Sequence, residues 1–514
     1  MQKSYADVNP CLPKTFNAAN AISDMSQEES AHHSTEAELI AIRRQKLAKL
    51  RELGIDPYGE RFATTSTPGE LRENFSEGLK VKVAGRITAL RDMGKSVFFE
   101  IGDVMGNIQG YLGLKTLNET AAAAWGCLDR GDWIGIEGET FLTKTGEPTV
   151  KVESFSVLSK ALRPMPDKWH GVADRELKYR KRHLDLMGNA DSAKIFVTRS
   201  LMIAEIRRFL QERGFIEVET PMLQDVAGGA AARPFETYHN ALGMPLTLRI
   251  APELFLKRLL VGGYTKIFEL NRNFRNEGIS RRHNPEFTML EAYWAFSDFE
   301  QMAEMVEELT CHLAEKFCGG LEIEHKDEEG NVLRTIDLSR PWRRASYHDL
   351  IRGAAGEDFF TITADERRER CHQRGVEISP NMEDYEVIQQ VFEKLVEEKT
   401  FDPCFVTRVA KELVPLAKLS PDAPTVEVYE LIINGQEISP GYSELNDPDV
   451  QRERLEHQSG GEEQKVDYDF IETLEHGMPP AGGIGIGIDR LIMMLTGAPT
   501  IRDVVLFPQL KKRS

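Results

Sequence analysis

The dipeptide Asn434-Gly435 limits what this chain can become more than any other two residues in it. Both residues tolerate positive φ, so "ELIINGQEIS" turns back through a two-residue type I′ hairpin. The turn sets the register: Ile432 opposes Glu437, and Glu430 opposes Ser439. Glu430 and Glu437 then share a face as diagonal cross-strand neighbours. Paired carboxylates repel unless a cation lies between them, and hard oxygen ligands of this kind suit Mg²⁺ carried by a nucleotide's phosphates. Two solvated glutamates are the commoner arrangement; the apolar residues around Glu430 favour the metal.

A second hairpin is written in "NRNFRNEGISRRHNPEFTMLEAY", Asn271 to Tyr293. Alternation puts Asn271, Asn273, Arg275 and Glu277 on one face of the first strand. In the matching register Phe287, Met289, Glu291 and Tyr293 of the second strand face the same way. An arginine is a bidentate clamp for phosphate or carboxylate, and a phenylalanine beside it offers a base a surface to stack on. The loop adds Arg281, Arg282 and His283, which could close over a polyphosphate. An exposed hairpin is excluded by "FTMLEAYWAF", which is too apolar to face water.

The third feature is "GGIGIGIDRLIMML". Alternating Gly and Ile make a strand with one bare face, against which a ligand can lie flat. The helix that follows opens with Asp489 and Arg490, and a helix N-terminus welcomes anions. The spacing is neither a Walker loop nor a dinucleotide fingerprint.

The remainder of the chain bounds these features. With 514 residues there is room for two to four domains. No apolar run is long enough to span a membrane. The six cysteines form no CxxC pair, which fits a reducing, cytoplasmic setting. A net charge of −18 argues against an all-over phosphate-binding surface but leaves room for a local basic patch. One such patch, Arg43, Arg44, Lys46, Lys49 and Arg51, lies on an amphipathic helix with Leu39, Ile42, Leu47, Leu50 and Leu53 as its apolar stripe. It is either a solvated face or one turned to RNA. Residues 1–36 are expected to be a disordered tail, and Met25 offers an alternative translation start.

From Val81 to about Ser159 the pattern reads as five short strands with a helix near Leu117–Leu128, the rhythm of an OB-type barrel. Such barrels bind single-stranded nucleic acid, and Arg86, Phe98 and Gln109 are placed to serve. Taken alone, Phe98 reads as a core aromatic. The domains expected are a helix and barrel over 37–165, a linker over 166–180, and an α+β unit over 181–514. Within the last, "SLMIAEIRRFLQERG" is a helix ended by Gly214, "FIEVETPML" a strand and Asp298–Phe317 a helix. Residues from about 342 to 415 look like an insertion.

The blocks "FIEVETPML", "FRNE…RHNPEFTMLEAY" and "GIGIGIDRL" resemble, in order, the three signature motifs of class II aminoacyl-tRNA synthetases. With the barrel in front, the chain is similar to bacterial-type lysyl-tRNA synthetases over about Glu36 to Pro508. The resemblance implies an antiparallel six-stranded catalytic sheet flanked by helices and an N-terminal OB-fold barrel that reads the anticodon of tRNA(Lys) through Arg86, Phe98 and Gln109. It also implies a homodimer built around Pro221. Arg275 and Arg490 become the catalytic residues. ATP falls to Arg275, Glu277, His283, Asn284, Phe287, Glu430, Gly487 and Arg490, and Mg²⁺ to Glu430 and Glu437. L-lysine falls to Gly229, Glu253, Arg275, Tyr293, Tyr442 and Glu444. The choice of amino acid also has a physical basis, because a buried ammonium needs carboxylates whereas an aspartate site needs Arg or Lys. Pro440 departs from the family, many of whose members carry Asn there.

Three rivals remain: an aspartyl or asparaginyl enzyme, opposed by Glu253 and Glu444; a protein-lysylating relative, which would lack the barrel; and a non-catalytic RNA-binding paralogue.

Overall fold

The computed structural model describes residues 36–166, 174–230, 232–327, 329–421, 424–458 and 466–512. The expected disordered tail, apart from residue 36, and residues 167–173 of the expected linker lie outside them. The chain forms two compact units. One takes in the described part of 1–173 together with 183–190; the other takes in 174–182 and 191–514.

The first unit is a closed five-stranded barrel in the order Lys80–Asp92, Ser96–Gly102, Asn107–Gly113, Pro148–Ser159, Trp133–Leu142. Alternation sends Val83, Ile87, Phe99, Ile101, Ile108, Leu112, Ile134, Ile136 and Val150 inward. Gly110 is needed where it stands, because a Cβ there would come within 2.3 Å of the Phe99 ring. The helix Glu119–Trp125, capped by Asn118, plugs the barrel with Trp125. The basic helix spans 36–52. Leu47 and Leu50 are buried as expected, but Leu39 and Ile42 are exposed. Arg43 turns inward, donating to the carbonyls of Arg130, Ala161 and Arg163. The basic face is therefore not uniformly external, because three unpaired carbonyls draw one arginine into the fold.

The second unit is built on an eight-stranded mixed sheet, which corrects the expectation of six antiparallel strands. Its order is Arg343–Ser346, Cys404–Thr407, Val428–Ile433, Gln436–Ser443, Ala481–Gly487, Glu286–Ala295, Lys266–Phe274, Ile216–Glu217. The six central strands are antiparallel, and a short parallel strand adds to each edge. The strand expected over "FIEVETPML" is thus two fragments, Ile216–Glu217 and Leu223–Gln224. The segment from about 342 to 415 is not wholly an insertion, since both its ends are strands of this sheet. Part of the expected linker is the helix Arg175–Arg180, capped by Asp174.

Alternation divides the sheet's two faces. Phe268, Leu270, Leu290, Ala292, Tyr429, Leu431, Ile484 and Ile486 point into the main core, which the helices Ala190–Glu212, Phe299–Phe317 and Ile488–Thr496 cover. The opposite face carries Asn273, Phe287, Met289, Glu291, Tyr293, Tyr442 and the bare positions Gly483 and Gly485. That face holds the site.

Candidate active site

Two adjoining cavities open on the glycine-bearing face. The first is lined by Arg275, Glu277, Arg282, His283, Asn284, Phe287, Glu437, Gly487 and Arg490, among others. The second is lined by Gly229, Glu253, Glu291, Tyr293, Glu430, Tyr442 and Glu444, among others. Arg275, Met289, Glu437 and Pro440 border both. The structure thus gathers the expected nucleotide residues in one cavity, Glu430 excepted, and the expected amino-acid residues in its neighbour.

Arg275 follows the strand Lys266–Phe274, whose register places Asn271 opposite Met289 and Asn273 opposite Phe287. Its backbone N–H donates to Pro285 O at 2.8 Å, extending the pairing by one step. The guanidinium carbon lies 5.2 Å from the Phe287 ring centroid. Its Nε is buried with no hydrogen-bond partner among the described residues. A buried donor left open beside an aromatic face is a site for an anion attached to a stacked ring.

Arg490 stands in the first turn of the helix Ile488–Thr496. It donates to Glu437 O at 2.9 Å and to His283 Nε2 at 2.9 Å. Arginine has no acceptor, so His283 Nε2 must be unprotonated, and its Nδ1–H can then donate to Ser280 Oγ at 2.8 Å. Burial, then the Arg490 charge, holds the imidazole below its usual range, in keeping with a neutral ring. Asp489 borders the same cavity with its carboxylate already engaged. It accepts from Thr288 N at 2.8 Å and meets Arg199 at 2.6 Å, fixing the helix to the hairpin strand. Asn284 lines the wall with its amide already engaged, donating to Glu286 O and accepting from Gln509 N. Glu277 is exposed at the rim.

The Asn434-Gly435 turn has the expected positive φ values, 56° and 69°. The register beyond it needs a correction. Ile432 opposes Glu437, but residues 438 and 439 together oppose Leu431, and Glu430 pairs with Pro440 instead of Ser439. The bulge buries both Ile438 and Ser439 and leaves Glu430 and Glu437 bordering the second cavity. Burial, then the charges of Glu437, Glu397 and Glu393, pushes Glu430 up to about 8. Glu397, which sequence reading missed, accepts from Glu437 N and is pushed up to about 7, chiefly by burial. Among the described residues no three His, Cys, Asp or Glu form a closed metal cage. Glu430 and Glu437 are instead hard oxygen donors of the kind that suits Mg²⁺ arriving with a nucleotide.

In the second cavity Tyr442 donates to Glu253 Oε1 at 2.7 Å, and Tyr293 donates to Glu291 Oε2 at 3.1 Å. Glu253, Glu444 and Glu291 are all buried. Burial, followed by the Glu253 charge, pushes Glu291 up to about 8, so this carboxyl keeps its proton at neutral pH. Gly229 has φ +86°, and a Cβ there would sit 3.0 Å from Glu253 Cβ. At Gly483 a Cβ would fall 1.9 Å from Glu444 Oε1, so the bare strand face is what admits this carboxylate. Lys257 also touches the two carboxylates. Sequence reading passed over it, although its i, i+4 spacing from Glu253 was visible.

On the barrel, Phe98 is half-buried on the outer face, its ring 5.0 Å from Tyr111, which in turn lies 6.2 Å from Phe141. Gln109 lies opposite Glu100. Arg86 does not join this group. It opposes Gly102, donates to Gly131 O at 2.8 Å and stacks over Trp133 at 4.9 Å. Arg91 is the arginine opposite Phe98. Tyr111, Glu100 and Arg91 lie opposite Phe98 and Gln109, a placement that period-2 alternation could have signalled.

A family model described as "tRNA synthetases class II (D, K and N)" matches residues 174–511, and one described as an OB-fold nucleic acid binding domain matches 81–158. Among similar proteins, the lysine–tRNA ligase of Pelotomaculum thermopropionicum is 48% identical over 498 residues, covering 95% of this chain and 97% of the relative. That of Syntrophomonas wolfei is 47% identical, covering 93% and 98%. That of Bacillus subtilis is 44% identical, covering 95% and 100%.

Proposed function

The chain belongs to the class II tRNA synthetases that serve aspartate, lysine and asparagine, and from that membership we infer that it is a lysine–tRNA ligase. It activates L-lysine with ATP to lysyl-adenylate and pyrophosphate, then transfers the lysyl group to the 3′ end of tRNA(Lys).

One observation carries the choice of lysine over its sister substrates. Glu253 and Glu444 are buried side by side, and Glu444 Oε1 is left without a hydrogen-bond partner among the described residues. An aspartate carboxylate could not enter such a pocket, whereas an ammonium completes it. Tyr442 lies along the aliphatic stem, Tyr293 stands near the head, and Gly229 meets the α-amino group through its backbone. In the neighbouring cavity Phe287 stacks on adenine and Gly487 gives its bare face to the nucleotide. Glu277, His283 and Asn284 contribute the rim, and Arg490 covers the other face of the base and reaches the γ-phosphate.

Arg275 lies on the wall common to both cavities, where it can grip the α-phosphate and the lysine carboxylate together. No protein nucleophile is required: the lysine carboxylate attacks the α-phosphate in line. Positioning and charge neutralisation supply the catalysis. Glu430 and Glu437 would hold Mg²⁺, whose chemistry is to neutralise charge on the phosphates.

The barrel's Phe98 and Gln109 read the anticodon on its aromatic face, with Arg86 bracing the adjoining strand. The exposed apolar residues Ile216, Leu223, Tyr238 and Leu242 near Pro221 support a homodimer through that segment. The free cysteines Cys127, Cys311, Cys318, Cys371 and Cys404 support a cytoplasmic setting. Among the described residues no helix is long and apolar enough to cross a membrane.

The decisive experiment is ATP–pyrophosphate exchange with each of the twenty amino acids. Exchange with lysine alone is expected. Exchange with aspartate or asparagine would mean that the two carboxylates are misassigned, and no exchange would favour a non-catalytic RNA-binding protein.

A further inference from the structure

Lys257 lies on the helix Glu253–Val261 and has no exposed surface. Its Nζ is 2.9 Å from Glu253 Oε1 and 2.5 Å from Glu444 Oε2. These are ion pairs, not aligned hydrogen bonds. Lys257 does not line the cavity that both carboxylates border. Its ammonium therefore meets them from the helix side and leaves their cavity side open.

Charge counting gives the lysine a role. Two carboxylates contribute −2 and one ammonium +1, leaving −1. Apart from Glu430 and Glu437, which also border this cavity, the other charged groups nearby are paired or neutral. Arg249 pairs with Glu269 at 2.6 Å, and Asp467 pairs with Arg258 at 2.9 Å. Glu291 holds its proton, and burial keeps Tyr293 and Tyr442 neutral well above their usual range. Arg275 is directed to the wall shared with the nucleotide cavity.

We propose that Lys257 is a positioning and specificity-determining residue, a resident counter-ion that sets the side-chain pocket to a net charge of −1 and so matches it to one ammonium. The proposal rests on the assignment of Glu253 and Glu444 to the ε-ammonium of lysine. Two buried carboxylates without Lys257 would share a proton, as close like charges do. Substrate lysine would then have to displace that proton before binding. Burial pushes Glu444 up and Lys257 acts against it, so the resident ammonium favours the ionised carboxylate that a second ammonium needs. Burial alone would strip the proton from Lys257, but the two carboxylates outweigh it and move the ammonium's titration upward.

The test is Lys257→Met, assayed by lysine-dependent ATP–pyrophosphate exchange from pH 6 to 8.5 beside the parent enzyme. The parent's KM for lysine is expected to vary less with pH than the variant's. The variant's KM should be raised about tenfold or more at the acid end and should fall with rising pH, since each unit below the shared proton's pKa is a factor of ten. The KM for ATP should stay near the parent's, and Lys257→Arg, which keeps the charge, should restore the parent's profile. A folded Lys257→Met enzyme whose lysine KM parallels the parent's across the range overturns the proposal. Should that variant not fold, Lys257→Gln, which keeps a polar group without the charge, is assayed in the same way, and a lysine KM that parallels the parent's overturns the proposal. A parent enzyme that exchanges with another amino acid would instead overturn the assignment of the lysine pocket, so the two failures are distinct.

Discussion

Gly483→Ala tests the link between the bare strand and amino-acid selection. The new methyl would lie 1.9 Å from Glu444 Oε1 and 2.7 Å from the Tyr293 ring. Ordinary contact begins at about 3.4 Å, so the carboxylate must retreat by roughly 1.5 Å. Glu444 has no room to do this freely, because it is fully buried and its other oxygen is held by Lys257 at 2.5 Å. The backbone itself raises no objection, since Gly483 is not among the residues with positive φ and alanine suits a strand as well as glycine does. The loss therefore falls on lysine recognition. Displacing one charged acceptor from an ammonium costs on the order of 2–3 kcal/mol, or about 30- to 150-fold in KM for lysine. Gly483 does not line the nucleotide cavity, so the KM for ATP should change little. Pyrophosphate exchange with lysine varied at saturating ATP, and with ATP varied at saturating lysine, measures both. A lysine KM within threefold of the parent's would refute the reasoning, as would an equal loss in both substrates.

Other predictions follow from the same geometry. Arg275→Ala should reduce adenylate formation by a factor of about a thousand, the scale of losing a preorganised charge donor, while circular dichroism and size-exclusion profiles stay those of the parent; near-normal exchange in this variant would falsify the assignment. Phe98→Ala should raise the KM for tRNA about tenfold through loss of one stacking surface and leave pyrophosphate exchange untouched. If exchange fell in step with charging, Phe98 would not be acting through tRNA. Glu291→Gln addresses stability. The native carboxyl holds its proton up to about 8, whereas the unfolded chain releases it near 4.5, so the parent should lose up to about 1.4 kcal/mol per unit as pH rises between those values. The variant lacks that slope, and its melting temperature relative to the parent should climb from pH 5 to pH 8. Parallel melting curves would show that Glu291 is ionised in the fold.

The parts of the site that could be read from sequence are those where a local rule acts alone. Asn434-Gly435 carries its turn type in its own backbone preferences. Alternation put Arg275, Phe287, Glu291 and Tyr293 on one face because a strand's period does not depend on its neighbours. Tertiary context decided the remainder. Residues 438 and 439 form a bulge because both find burial, which the pattern of one strand cannot reveal. The edge strands Ile216–Glu217 and Arg343–Ser346 are too short to show a period. Glu253 and Lys257 look in sequence like an ordinary surface pair on a helix, and they become a buried cluster only because a strand distant in sequence brings Glu444 against them. Arg86, another expected anticodon residue, is held by a carbonyl and a tryptophan that strand alternation alone does not reveal.

The two cavities meet along Arg275, Met289, Glu437 and Pro440. A compound carrying an aminoalkyl chain and an adenosine, joined by a bridge that hydrolysis cannot cut, would occupy both at once. Once one half is seated, the other is presented at an effective concentration set by the bridge and not by the solution. Its affinity should exceed that of either half by orders of magnitude, with Arg275 counted only once in the sum. By the same reasoning the enzyme's own intermediate should dissociate slowly, and a substitution at Pro440 or Met289 should loosen it more than it loosens lysine or ATP alone.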